Sequence, residues 1–313
     1  MMTATSKILV LGKNGLVGSS IIRQLKKNNY NNILSPERKE LNLLNKDQVD
    51  SYLKKQQPEF IFMVAGLVGG ILSNMNRPAD FLYQNSMMIL NLLEAIKNHS
   101  PKTKILYTGS TCIYPKENPQ PINEERFMAG KLEETNKGYA VAKGMGVIAC
   151  ELYRKQYNIN AISVMPTNMY GPNDNYDIEN GHMIASLIKK FVEAKKNNSK
   201  LTFWGSGTPR REALFVDDAA DTCIYLMNNY NEAEIVNIGT GFDYSIKEFI
   251  EIIEKVINYK NEISWDKSKP DGTFEKRTDI TRLKNIMPSF SPRSFAEGLK
   301  ETLLKDFELT DLS

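Results

Sequence analysis

The chain has 313 residues, 41% hydrophobic and 25% charged, the composition of an ordinary soluble globular protein long enough to bury a large core. Its net charge of +3 is spread evenly and offers no basic face for nucleic acid. No apolar run reaches the length of a membrane span. Three widely separated cysteines, Cys112, Cys150 and Cys223, lack metal-ligand spacing and fit reduced thiols, so no metal is expected. The opening "MMTATSKILVLG" runs into a strand pattern without an apolar signal region, and the expected setting is cytoplasmic.

In chain order, "KILVLG" predicts a strand and "LVGSSIIRQLKKN" the helix after it. "NNILS" is a second strand, and "FIFMVAG" a third whose continuous apolar character suits a sheet buried on both faces. "PADFLYQNSMMILNLLEAIKN" predicts a long helix opened by Pro78. The strand "KILYTGS", the helix "YAVAKGMGVIACELYRKQY" and the strand "AISVMP" follow. This alternation predicts an α/β fold with a doubly wound parallel sheet. Beyond Gly171 the pattern loosens into the helix "MIASLIKKFVEAKK", the strand "LTFWG" and a loop rich in Gly and Arg. We expect a cofactor-binding domain over residues 1–170 with a return segment near 213–240, around "FVDDAADTCIYLMNN". A smaller α/β substrate domain is expected mainly over 171–313.

The turn "VLGKNGLVGSS" places Gly12, Gly15 and Gly18 between the first strand and the first helix. There they permit a tight turn and let a pyrophosphate approach the helix N-terminus. The spacing G-x-x-G-x-x-G resembles that of extended short-chain dehydrogenases. This marks Asn14, Leu16 and Val17 in the turn, and Ala65 after the third strand, as further cofactor-binding candidates. The second strand ends at Ser35 without the usual acidic residue for the ribose hydroxyls. Arg38 and Lys39 follow it, and arginine suits a 2′-phosphate, so NADP is favoured over NAD. Glu37, next to them, runs against that preference.

"GYAVAK" puts Tyr139 and Lys143 four residues apart on one helix face. A tyrosine near pKa ~10 is a poor acid–base group at neutral pH, and a neighbouring ammonium is expected to lower it. With Ser110 at a strand end, the three resemble the Ser–Tyr–Lys set of short-chain dehydrogenases. Ser110 would then bind a substrate carbonyl, Tyr139 protonate it, and Lys143 hold Tyr139 and the nicotinamide ribose.

The strings "GLVGGILSNMNRPADFLYQN", "GSTCIYPK", "TNKGYAVAK", "VMPTNMYGPNDN", "WGSGTPRRE", "VDDAA" and "SKPDGT" resemble, in order and spacing, those of the GDP-L-fucose synthase family. That family converts a GDP-4-keto-6-deoxy sugar by 3,5-epimerisation and 4-reduction with NADPH. The resemblance implies that Cys112 and His182 exchange protons with the sugar carbons flanking the ketone. The chemistry is reasonable in itself, because a ketone at carbon 4 acidifies the hydrogens at carbons 3 and 5. Thiol and imidazole both titrate near enough to neutrality, at ~8.5 and ~6.5, to serve. His99, at a helix end, reads as a surface residue, and Cys150 and Cys223 as apolar filler.

By the same resemblance, Asn168 would contact cofactor or sugar, and Trp204 and Arg211 the nucleotide diphosphate. Lys190 stands where an arginine is frequent, and Asp271 would accept hydrogen bonds from guanosine or ribose. The family also implies a homodimer built on the helices near 78–97 and 139–157. Lys13-Asn14, Leu67, Ala213, Phe215 and Arg277 depart from the family pattern, mostly on the substrate side. A second substrate class therefore stays open: a GDP-4-keto-heptose or 6-deoxy-heptose reduced at carbon 4 with little or no epimerisation. An NAD-dependent nucleotide-sugar epimerase or dehydratase fits the cysteine motif less well. A non-catalytic NADP-binding regulator would need no proton donor.

Overall fold

The computed structural model describes residues 1–177, 181–268 and 274–312. Strand β1 (Ile8–Leu11) leads through the glycine turn into α1 (Leu16–Lys27), followed by β2 (Ile33–Leu34), α2 (Lys46–Gln56) and β3 (Phe60–Met63). A short α3 (Ile71–Asn76) precedes α4 (Pro78–His99), β4 (Lys104–Thr108), α5 (Lys137–Tyr157) and β5 (Ala161–Pro166). Next come β6 (Met169–Tyr170), α6 (Met183–Asn197), β7 (Leu201–Trp204), β8 (Arg210–Glu212), β9 (Leu214–Phe215), α7 (Val216–Asn229) and β10 (Val236–Ile238). Then follow β11 (Asp243–Ser245), α8 (Ile246–Ile257), β12 (Ile263–Asp266), β13 (Glu275–Lys276), α9 (Thr281–Ile286) and α10 (Phe295–Phe307).

Six strands form one parallel sheet in the order β2-β1-β3-β4-β5-β10. Successive side chains of a strand point to opposite faces, and both faces here are apolar. Leu9, Leu11, Ile61, Met63, Ile105 and Tyr107 pack with α2, α4 and α5. Ile8, Val10, Phe62, Leu106, Ile162 and Val164 pack with α1, α7 and β10. Each such fully buried side chain contributes roughly 1.5–3 kcal/mol, which is why the strands read as continuous apolar runs. A third core joins Phe191, Phe203, Phe249 and Phe295, from α6, β7, α8 and α10.

The chain leaves β1 on one side for β2 and returns on the other side for β3. That reversal opens a crevice at the carboxyl ends of β1 and β3, where open α/β sheets take ligands. Two elements differ from the sequence expectation. The "NNILS" strand shrinks to Ile33–Leu34, because it is a sheet edge with a single neighbour. The helix carrying Tyr139 begins two residues earlier, at Lys137. Among the described residues, no helix is long and apolar enough to cross a membrane.

Helix α5 comes unusually close to β4, since a Cβ on Gly146 would lie 2.3 Å from Tyr107 Oη and 2.4 Å from its Cζ. Replacing glycine with alanine inside a helix normally stabilises by about 1 kcal/mol. Gly146→Ala should do the opposite, destabilising by about 1–3 kcal/mol through overpacking, as a lower Tm in calorimetry. A raised Tm would mean that α5 can shift away from the sheet at little cost.

Candidate active site

The glycine turn has the shape of a phosphate cradle. Gly12 has φ +101°, and a Cβ there would lie 2.9 Å from the Cα of Ala65 at the end of β3. On Gly18 it would lie 2.0 Å from the Gly12 carbonyl oxygen, so the first turn of α1 is pressed against the loop. On Gly15 it would meet only that same oxygen, at 3.5 Å, and otherwise open space. Two glycines are thus required by close packing, and the third faces the side a ligand would occupy. Helix α1 has Gly15 as its N-cap and so no side-chain cap, and no side chain competes with an anion for the N–H groups of its first turn, which begins with Leu16, Val17 and Gly18. Asn14 is exposed beside them. These residues fit a dinucleotide pyrophosphate.

The end of β2 bears on which dinucleotide. Glu37, the residue that ran against NADP, is ion-paired with Lys13 of the glycine turn at 3.0 Å. The hydrogen bond and charge of Lys13 hold its carboxyl below the usual range. The repulsion that Glu37 would exert on a 2′-phosphate is therefore offset from within the loop, while Arg38 stands exposed next to it.

The catalytic candidates gather at the carboxyl end of β4. Lys143 Nζ donates to the carbonyl of Thr108, the last residue of β4, at 2.7 Å. It lies 5.8 Å from the Tyr139 ring centroid and 5.2 Å from that of Tyr107. Ser110 opens a 3₁₀ turn over Thr111–Ile113, and its Oγ accepts from the Cys112 N–H at 3.2 Å. Burial pushes the Lys143 ammonium down to about 8, with Cys112 pulling the other way. Burial also pushes the Tyr139 phenol above its ordinary range, Cys112 adds to this, and the Ser110 hydrogen bond opposes it. This corrects the expectation that Lys143 lowers Tyr139: desolvation dominates and the phenol is raised, although the ammonium stands 5.8 Å from its ring. The tyrosine is held as a phenol, the form that a ketone reduction consumes.

Two further residues were not singled out in the sequence. Buried Asn85 of α4 accepts from Leu67 N–H at 2.8 Å and donates to the Leu67 carbonyl at 3.1 Å, clamping the loop after β3. Its signal was a polar residue at apolar helical spacing, between Phe81 and Ile89. Asn136, at the N-cap position of α5, donates to Cys112 Sγ at 3.4 Å.

The remaining candidates are less closely joined. His182 is the N-cap residue of α6, half-exposed, with Nδ1 3.8 Å from the Asp174 carboxylate. Among the described residues, no hydrogen bond or ion pair links it to Ser110, Cys112 or Tyr139. Asn168, just after β5, donates to the Glu212 carbonyl at 3.2 Å. Trp204 is 73% exposed at the end of β7, and Lys190 Nζ lies 6.0 Å from the Phe203 ring. Arg210 pairs with Asp243 at 2.8 Å and Glu248 at 3.2 Å, whereas Arg211 donates to the Arg210 carbonyl at 2.7 Å. Asp271 lies outside the described residues. His99 sits at the end of α4, before the start of β4 and so at the amino-terminal end of the strands, 3.5 Å from Asp50. Cys150 and Cys223 are buried in the two cores that cover the sheet. No metal-binding cluster of His, Cys, Asp or Glu occurs among the described residues.

The lowered lysine has a consequence for stability. An unfolded lysine titrates near ~10.4, so between pH 8 and there the unfolded chain binds more protons and stability rises with pH. Lys104 is likewise lowered to about 8, by burial and then by Arg154. Lys143→Met should therefore raise Tm at pH 7 and reduce, without abolishing, the rise in Tm between pH 8 and 10. An unchanged pH slope would show that this ammonium is solvated. At the cofactor end, Arg38→Ala should raise KM for NADPH roughly tenfold, by loss of a charge-assisted contact, and leave KM for NADH nearly unchanged. Steady-state kinetics with both cofactors checks this, and equal effects on the two would remove Arg38 from the 2′-phosphate site.

Residues 8–239 match the model of the NAD dependent epimerase/dehydratase family. The chain is 45% identical over 281 residues to the GDP-L-fucose synthase of Sinorhizobium fredii, covering 90% of this chain and 89% of that one. Among solved structures it resembles an NADP-bound GDP-L-fucose synthetase from Naegleria fowleri, with TM-score 0.92, 28% identity, and 98% and 95% of the two chains covered. It also resembles an NADP-bound GDP-mannoheptose C4 reductase from Campylobacter jejuni, with TM-score 0.88, 28% identity, and 99% and 100% covered. With the glycine cradle at its switch point and Ser110, Tyr139 and Lys143 at the end of β4, the chain belongs to the NAD dependent epimerase/dehydratase family, within its GDP-L-fucose synthase branch.

Proposed function

We propose that this chain is an NADPH-dependent oxidoreductase that reduces the carbon-4 ketone of a GDP-linked 4-keto-6-deoxy sugar after epimerising carbons 3 and 5. The observation that carries this reading is the position of Cys112, two residues from Ser110, whose Oγ accepts the Cys112 N–H at 3.2 Å. A simple reductase needs the serine, tyrosine and lysine. A thiol set beside them adds a proton carrier next to the ketone.

Ser110 and Tyr139 donate hydrogen bonds to the ketone oxygen. This acidifies carbons 3 and 5 and stabilises the enolate oxyanion. Cys112 and His182 act on opposite faces, one removing a proton from carbon and the other returning one. Bound NADPH supplies the hydride to carbon 4. Tyr139 gives its proton to the oxygen, and the Lys143 ammonium stabilises the phenolate left behind. Asn168, Lys190, Trp204, Arg211 and Asp271 hold the GDP-sugar, with Arg211 on the diphosphate.

The same reading assigns residues 1–170, with the return segment 213–240, to the cofactor and residues 171–313 mainly to the GDP-sugar. It places the protein in the cytoplasm as a homodimer through α4 and α5, where exposed Tyr83 and Leu152 would be covered by a second copy. A second reading, a carbon-4 reductase of a GDP-4-keto-heptose, is favoured by the likeness to the Campylobacter jejuni reductase.

Turnover of GDP-4-keto-6-deoxymannose with NADPH in deuterated water, followed by NMR, separates the readings. Deuterium at carbons 3 and 5 of a GDP-L-fucose product is expected. Reduction without deuterium would leave a carbon-4 reductase, and no turnover would favour the heptose. Tyr139→Phe should lower the reduction rate by at least a hundredfold while NADPH binding persists; substantial residual reductase activity would overturn the role of Tyr139.

A further inference from the structure

Asn136 breaks a local rule. Asparagine is among the preferred N-cap residues because its side-chain oxygen accepts a backbone N–H of the first helical turn. Asn136 occupies that position on α5, yet it makes no side-chain cap hydrogen bond. Its Nδ2 is turned instead onto Cys112 Sγ, at 3.4 Å. Its Oδ1 is buried without a partner. The residue thus leaves one buried acceptor unsatisfied while its amide hydrogens face a sulfur. Exceptions of this kind concentrate at functional sites, where geometry is kept against local stability.

We propose that Asn136 is the positioning residue for Cys112: its amide donates to the sulfur, favouring the thiolate and aiming it at the sugar carbon that gives up its proton. This rests on the reading of Cys112 as a proton carrier. In that step the thiolate takes a proton from carbon, the S–H bond forms, and the C–H electron pair passes into the enolate. A donor facing the sulfur lowers the energy of the charged form, whereas a carboxylate in the same place would raise it. Around the thiol stand Ser110, whose Oγ accepts from the Cys112 N–H, and the Tyr139 phenol and Lys143 ammonium of α5. The nearby acidic residues are engaged elsewhere, Glu133 with Lys116 at 3.3 Å and Glu134 with Lys137 at 3.2 Å.

The test is the pH dependence of alkylation by iodoacetamide, read by mass spectrometry. Cys150 and Cys223, buried and each pushed up to about 12 by that burial, stay silent, so the reagent reports Cys112. Asn136→Ala should move the pH of half-maximal rate upward by roughly one unit, the scale of one lost hydrogen bond to a charged group. Asn136→Asp, which keeps the volume and is itself a good N-cap, should move it further upward with Tm unchanged or raised. Deuterium uptake into the substrate at pH 7 should fall roughly tenfold in both. An unmoved midpoint in both variants, with only a lower Tm, would make Asn136 a structural residue and overturn the proposal. The thiol profile is independent of catalysis. If Cys112→Ala still exchanged deuterium while the Asn136 variants shifted the profile, the proton-carrier reading would fail and the Asn136–Cys112 coupling would stand.

Discussion

An ammonium taken out of water must find oxygen, and Lys143 finds it on the last carbonyl of β4. That one bond joins the helix bearing Tyr139 to the strand that delivers Ser110 and Cys112. The close approach that permits it depends on Gly146, because any Cβ there would collide with Tyr107. Tyr107 in turn donates to the Lys143 carbonyl at 3.4 Å, so two hydrogen bonds, both at Lys143, hold strand and helix together. The desolvation that lowers Lys143 and raises Tyr139 is a product of this contact. It leaves the pair as a phenol and a readily neutralised ammonium, in reach of a thiol.

The cofactor end is built on the same economy of space. Gly12 and Gly18 let the loop, the end of β3 and the start of α1 meet at distances that side chains would forbid, and Gly15 leaves the opposite side open. Placing this cradle at the reversal of strand order puts it at the same carboxyl end of the sheet as the Ser110 cluster. Lys13 has a part in this as well. By pairing with Glu37 it offsets the negative charge that would oppose a 2′-phosphate near Arg38.

In the C-terminal part, buried polar groups add to the aromatic third core. Glu212, fully buried, accepts from Thr278 N–H and Oγ1 at 2.9 and 2.7 Å and from Gly241 N–H at 2.7 Å, while its own carbonyl receives Asn168. Arg210 is committed to Asp243 and Glu248. Adjacent arginines in "PRRE" thus differ in kind. One ties β8 to β11 and α8, and its neighbour, partly buried, donates to the Arg210 carbonyl.

Continuous apolar runs alternating with helical patterns determined the parallel α/β sheet, because burial on both faces leaves little freedom in residue type along β1, β3, β4 and β5. The glycine spacing, the Tyr139–Lys143 interval and the "STCIYP" string were legible for a similar reason: each is local in the chain and demands particular residue types. The two-residue length of β2 was not legible, since an edge strand is set by what pairs with it. The direction of the Tyr139 shift could not be read either, because desolvation depends on what packs over a residue and not on its neighbours in sequence. Asn85 and Asn136 were ordinary helix residues until α4 met the β3 loop and α5 met the 3₁₀ turn after β4. The sequence by itself determined which groups could do chemistry; only the tertiary structure decided which of them are desolvated, and by whom they are held.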